Sequence, residues 1–326
     1  WKLAEKVFDG SKIPVLFSLF LFATNIPVVY YGREFKPYSS DIFFLLLIIL
    51  LYDKFDLKSE KGVILSSIII FLLPFYSFAS IPALASVLII KFFKSEGKNI
   101  KFRYVICSLF LVLSVGCLWL INHNHYGEMS EISFWVEGFI LPSIKSFMRV
   151  NTQFLLYLRY RYYFYVPVVL LYSGIIYTLI KGNTYGKLLS ISLLLCYIAS
   201  FMHIYPFAER AILFMAPVFI LLMSVLLITR ADCTDKPLSY MKSIAVIIFF
   251  FISSDALQGF KSLMSEDCNV RGGSVEIRKE KEADYTELLK KYDGKTDKLI
   301  SDRDFYAFIL FYNIKDKYKK EIGIIT

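Results

Sequence analysis

Long apolar runs alternate with short clusters of charge along this chain. Nine runs read as candidate membrane-spanning helices: Ile13–Tyr31, Asp41–Phe55, Gly62–Phe78, Ser80–Phe93, Tyr104–Ile121, Tyr162–Ile180, Leu188–Ile204, Ala211–Thr229 and Tyr240–Leu257. At about 1.5 Å per residue, runs such as Tyr104–Ile121 have the length of a hydrocarbon core. The second and fourth are short, which fits tilted, re-entrant or protein-buried segments. Internal prolines (Pro27, Pro74, Pro82, Pro167, Pro217) fit spanning helices, where neighbours re-satisfy a freed carbonyl.

Composition agrees with this pattern. Hydrophobic residues make up 56% of the 326, the mean hydropathy is +0.55, and charged residues are only 20%. A soluble domain of this size can hide one such helix, but its surface-to-volume ratio cannot hide eight or nine. The fold class expected is an all-α polytopic membrane protein, with residues 1–259 forming a helical membrane domain. Residues 260–326 turn polar and read as a small extracytoplasmic α/β appendage, with a strand-like run at Lys298–Ser301 and a helical stretch at Asp304–Asn313.

The charges orient the chain. One alternate set of loops carries Lys2, Lys6, Lys12, Lys54, Lys58, Lys61, Lys91, Lys94, Lys98, Lys101, Arg103, Lys181, Lys187, Arg230, Lys236 and Lys242. The other carries Arg33, Lys36, Lys145, Arg149, Arg159, Arg161 and Arg210, in loops that include a much longer one. By the positive-inside rule the first set is cytoplasmic, so Trp1 lies inside and the C-terminal tail outside. The localisation expected is therefore multi-pass in the cytoplasmic membrane. The net charge of +9 reflects this bias and gives no reason to expect nucleic acid as a partner. Cys107, Cys117 and Cys196 lie in spans, while Cys233 and Cys268 fall on opposite sides, so no disulfide framework is expected.

Polar residues at a membrane edge are costly and point to function. Three clusters fall outside. The first, Tyr30 to Asp41, holds Arg33, Glu34, Lys36, Tyr38 and Asp41. Its cations suit a phosphate or pyrophosphate, and a carboxylate beside them suits a sugar hydroxyl or a base. An interfacial anchor belt of tyrosine and basic residues is the plainer reading. The second, His203 to Arg210, contains Tyr205, Glu209 and Arg210, with Arg210 opening the eighth span at an anion-favouring helix N-terminus. A snorkelling arginine paired with Glu209 is the plainer reading there. The third, His123 to Arg161, has the spacing of amphipathic helices lying on the membrane and includes the Tyr157–Tyr163 belt. His123 and His125 lack a nearby third ligand, and His203 reads as a helix-end residue rather than a ligand, so no metal site is assigned.

Three stretches carry a family resemblance. Val29 to Asp41 looks like a "YYSRExKPYSxD" segment, with Gly32 in place of the usual serine. Tyr205 to Pro217 resembles "YPFxxRxxLFxxP", and Val275–Arg278 through Asp304–Phe308 is similar to a periplasmic tail in which "EIRPVLxYL" leads to "AFxYY". In order and spacing these resemble bacterial members of glycosyltransferase family 39, the dolichyl-phosphate-mannose-protein mannosyltransferase-like proteins of the GT-C superfamily.

That resemblance implies an enzyme that transfers a sugar from a polyprenyl-phosphate donor to a lipid, glycan or protein acceptor outside the cytoplasmic membrane. It implies that Arg210, Lys36 and Arg33 meet the donor phosphate and that Asp41 supports the site. The family's catalytic acidic loop follows its first span, and the resemblance here starts later, so that loop is expected upstream of Trp1. No cofactor is required by the pattern, and a divalent metal stays open. An O-antigen or capsule polymerase or ligase, and a transporter or flippase, are the alternatives.

Overall fold

A computed structural model describes residues 1–25, 27–29, 37–55, 57–130, 139–158, 165–207, 209–225, 299–301 and 322–324. The side chains of 37–38, 122–130, 156–157, 165–166, 209–210, 299–301 and 322–324 lie outside the description. The chain divides into two compact units, Trp1–Glu266 and Asp267–Thr326.

The first unit is helical throughout its described residues. In chain order it contains α1 (Lys2–Val7), α2 (Lys12–Ala23), α3 (Pro37–Leu50), a 3₁₀ turn (Leu51–Lys54), α4 (Glu60–Tyr76), α5 (Ser80–Lys94), α6 (Lys98–Ser130), α7 (Ile144–Tyr157), α8 (Tyr165–Ile180), α9 (Thr184–Phe201), a 3₁₀ segment (Glu209–Met215) and α10 (Ala216–Ser224). A helix therefore occupies each of the first eight candidate runs; the ninth, Tyr240–Leu257, lies outside the described residues. Two stretches, Lys98–Ile121 and Thr184–Phe201, are long and apolar enough to cross a bilayer, whereas Lys12–Ala23, Pro167–Ile180 and Ala211–Ser224 are shorter apolar helices.

Local chemistry sets the helix ends. Ser59 caps α4 by accepting from the Gly62 N–H at 3.0 Å, and Asn183 caps α9 by accepting from Gly186 at the same distance. Three of the prolines, Pro82, Pro167 and Pro217, fall in the first turns of α5, α8 and α10, where the missing N–H frees no carbonyl. Only Pro74 sits inside a described helix. The first predicted run also breaks early. α2 stops at Ala23, and Asn25 restarts the chain by accepting the Val28 N–H at 3.2 Å.

α10 is the centre of the unit and is buried along its whole length, packed by α2, α8 and α9. α5 packs on α9 and α3. The α4–α6 pair flanks this core and turns an apolar face outward, with Ile64, Leu65 and Ile68 on α4 and Leu109, Val112 and Leu120 on α6 all exposed. Exposed apolar surface of this extent marks an interface with lipid or with another protein.

Small hydroxyl residues line the helix contacts. Ser67 Oγ meets Cys107 Sγ at 3.6 Å, and Ser114 Oγ donates to the Phe71 carbonyl at 2.7 Å, tying α4 to α6. Ser192 Oγ donates to Ser86 Oγ at 3.0 Å between α9 and α5. Gly174 lets α8 approach α10 so closely that a Cβ there would stand 2.1 Å from the Leu222 carbonyl oxygen. Short side chains of this kind let helices close on one another where apolar surroundings offer no net hydrophobic drive.

In the second unit, β1 (Leu299–Ser301) pairs in parallel with β2 (Ile322–Ile324), with Leu299 opposite Ile322 and Ser301 opposite Ile324. The first strand falls where the sequence places its strand-like run. The expected helix at Asp304–Asn313 lies outside the described residues.

Candidate functional site

The described loops of the more basic set meet at one end of the helical unit. Lys6 Nζ donates to Asp53 Oδ2 at 2.8 Å and to the Tyr185 hydroxyl at 2.6 Å, and the Tyr185 hydroxyl donates to the same carboxylate. Asp53 first, and Tyr185 after it, raise the Lys6 ammonium above the ordinary lysine value by hydrogen bonding to its charged form. Asn183 Nδ2 holds α1 in place through the Lys6 and Val7 carbonyls and Asp9 Oδ1. Lys91 lies 4.4 Å over the Tyr52 ring, Lys94 bonds Thr184, and Arg103 donates to the Leu57 and Lys58 carbonyls.

The opposite end carries the described parts of the candidate site. The 3₁₀ segment Glu209–Met215 packs directly on α3, the helix that begins at Pro37 and contains Asp41. Segments some 170 residues apart in the chain thus come together. The turn between α4 and α5 joins them. Asp41 Oδ1 accepts from Ser77 Oγ at 2.6 Å, with the Ala79 N–H beside the same carboxylate. Between those two donors, Phe78 sets its ring 6.0 Å from that of Tyr205.

Tyr205 holds its own loop. Its hydroxyl donates to the Ala211 carbonyl at 2.8 Å, closing the 205–211 stretch, and its ring lies 6.3 Å from that of Phe214. Upstream, His203 ends α9 in a left-handed conformation (φ 58°), with Ile204 N–H returning to the Ala199 carbonyl at 2.9 Å. The His203 ring stacks on Phe139 at 5.0 Å. Such a C-terminal stop needs one residue with positive φ, and histidine reaches it more readily than branched residues do.

The α-helical N-terminus falls later than the sequence suggests. α10 begins after Met215, so Arg210 lies in the 3₁₀ segment rather than at the mouth of an α-helix. Any anion there would meet the less regular N–H groups of that segment. Arg33, Glu34 and Lys36 lie outside the described residues, as do the side chains of Tyr38, Glu209 and Arg210; Asp41 and Tyr205 are placed with their side chains. Among the described residues no group of three or more His, Cys, Asp or Glu is arranged to hold a metal ion.

α7 forms the rim beside this site. Ser143 caps it by accepting the Ser146 N–H at 3.1 Å, and Ser200 Oγ anchors the preceding chain through the Ile140 N–H at 3.2 Å. Val150, Phe154 and Leu155 are buried while Lys145, Arg149 and Gln153 face outward, the amphipathic division expected of this stretch. At its far end, Asn25 Nδ2 donates to the Leu158 carbonyl at 3.1 Å.

Two parts of this arrangement are absent from the sequence reading. The Ser77–Ala79 turn carries no motif, and its only trace is a polar residue between two apolar runs. Asn151 was more visible, because it interrupts an otherwise apolar stripe on α7. No family model matches this chain, and neither a curated protein nor a solved structure matches it.

Proposed function

We propose that this protein is a multi-pass membrane glycosyltransferase that moves a sugar from a polyprenyl-phosphate donor to a lipid, glycan or protein acceptor at the outer face of the cytoplasmic membrane. The observation that carries the reading is the packing of the Glu209–Met215 segment on α3, two segments that hold the resembling motifs. Helices of spanning length and the apolar outer faces of α4 and α6 support the membrane setting. The meeting of the described loops of the more basic set at one end supports a cytoplasmic Trp1.

The chemistry follows from the donor. Breaking the bond between the sugar anomeric carbon and the phosphate oxygen leaves charge on the phosphate. Cations placed before the reaction stabilise that charge without reorganising. Arg210, Lys36 and Arg33 fill this role, and Arg210 offers a two-pronged match to phosphate oxygens. Glu34, Glu209 and Tyr38 supply hydrogen-bonding partners for sugar hydroxyls. Asp41 keeps the site's floor in place through Ser77.

The test uses the full-length protein in liposomes with radiolabelled polyprenyl-phosphate sugars. The expected result is transfer to an acceptor, lost by a factor equivalent to on the order of 2–4 kcal/mol in Arg210→Ala. Unchanged turnover in Arg210→Ala overturns the assignment of the phosphate site. Flux of the intact donor across the bilayer without sugar transfer overturns the enzyme reading in favour of a flippase.

A further inference from the structure

Asn151 is fully buried on α7, although an apolar residue would pack there at lower desolvation cost. Its amide is used at both ends. Asn151 Oδ1 accepts from the Tyr197 hydroxyl of α9 at 2.5 Å, and Asn151 Nδ2 donates to the Phe147 carbonyl at 2.8 Å. Tyr197 is held in turn by the edge of Phe147, with ring centroids 5.2 Å apart. Its face is stacked on Phe207 at 4.8 Å and 25°.

Phe207 is 1% exposed and is enclosed by three rings. Besides Tyr197 it meets Phe154 of α7 edge-on at 5.7 Å and Phe219 of α10 at 6.2 Å. Two residues later the chain enters Glu209 and Arg210. Phe207 is thus anchored just ahead of the 3₁₀ segment Glu209–Met215. Apolar contacts alone would permit α7 to dock in more than one register, whereas a buried amide is satisfied in only one. A single polar residue in an apolar seam is the best attested way to set helix register.

We infer that Asn151 and Tyr197 are positioning residues that lock α7 and Phe207 in register, and thereby hold the Glu209–Arg210 segment against the donor phosphate. This rests on the transferase reading above. The Tyr172 hydroxyl offers a built-in control. It lies beside Tyr197 and Asn151 but meets no geometric hydrogen-bond criterion among the described residues, so its loss should weigh less than that of the Tyr197 hydroxyl.

The test compares wild type, Tyr197→Phe, the double variant Asn151→Leu/Tyr197→Phe, and Tyr172→Phe as full-length proteins in liposomes. Kinetics are normalised to folded protein by size-exclusion chromatography. Replacing both members of a buried polar pair by apolar groups of similar shape leaves Tm nearly unchanged. The expected result is a donor KM raised about three- to tenfold in both lock variants, the range of one net hydrogen bond. kcat falls as well, because Arg210 also meets the charge that develops on the leaving phosphate, while acceptor KM stays within about twofold and Tyr172→Phe shifts donor KM less than Tyr197→Phe. A structural role alone would lower folded yield or Tm and leave donor KM unmoved. Donor KM unchanged in Tyr197→Phe overturns the inference even if the double variant does not fold. Absence of transfer by wild type overturns the transferase reading and this inference with it; transfer by wild type with an unmoved KM in the variants overturns only the inference.

Discussion

The Asp41 carboxylate is bound by Ser77, 36 residues away, through a 2.6 Å hydrogen bond from the serine hydroxyl. This bond fastens the N-terminal part of α3 to the turn that leads into α5. Ser77→Ala should lower stability by about 1–2 kcal/mol, seen as a lower Tm in detergent. If the turn supports the phosphate site, transfer should fall by more than the loss of folded protein explains. A Tm equal to wild type would show that the Asp41–Ser77 bond contributes nothing.

Sidedness follows from the two ends of the helical unit. Ser39 and Pro142 are exposed at the end that carries Asp41, and Lys58 and Glu96 are exposed at the end that carries Lys6 and Asp53. In a variant freed of native cysteines, single cysteines at Ser39 or Pro142 should react with a membrane-impermeant maleimide in intact cells. Cysteines at Lys58 or Glu96 should react only after permeabilisation. The reverse pattern would invert the topology and move the candidate site to the cytoplasm.

Close approach of α8 and α10 depends on one missing Cβ. In Gly174→Ala the new methyl would meet the Leu222 carbonyl oxygen at 2.1 Å and the carbonyl carbon at 2.9 Å, and both are backbone atoms that cannot swing aside. The helices must part, and overpacking of this kind costs about 1–3 kcal/mol. Since α10 is the buried centre of the unit, the loss should appear as lower Tm and poorer extraction as a monodisperse species. Wild-type behaviour would mean that the two backbones do not touch at this point.

The helix positions were legible because an apolar run bounded by charge has few other ways to satisfy its backbone. Which helices lie inside was not. α4 and α10 are both apolar nearly all round, so periodicity says little about which side of either packs inward, yet α10 is fully buried and α4 exposes Ile64, Leu65 and Ile68. The information sits instead in small residues such as Ser86, Ser190, Ser192 and Gly174, whose weight appears only when a partner helix is in place. For the site, the motif segments were legible, and so was the amphipathic stripe of α7. The Ser77–Ala79 turn and the Tyr197–Asn151 bond were not, because each depends on a contact between distant parts of the chain. The 3₁₀ segment at 209–215 was missed because apolarity does not distinguish one helical winding from another.

The contact between α8 and α9 gives a further test, in which the sign of the effect depends on how many residues are changed. Thr178 Oγ1 lies 2.5 Å from Ser190 Oγ and donates to the Ile175 carbonyl at 3.0 Å. Threonine has one hydroxyl proton, so the serine must be the donor in the shared bond. Both side chains are buried. Thr178→Val then leaves the Ser190 proton without its acceptor, at a cost of about 1–3 kcal/mol. Ser190→Ala removes a donor but leaves Thr178 still bonded to Ile175, and should cost less. The double variant removes the need as well as the partner, so its Tm should lie above that of Thr178→Val alone. Non-additivity of that sign in a double-mutant cycle identifies the pair as coupled. Simple addition of the two losses would show that each hydroxyl is satisfied elsewhere and that the bond does not join the helices.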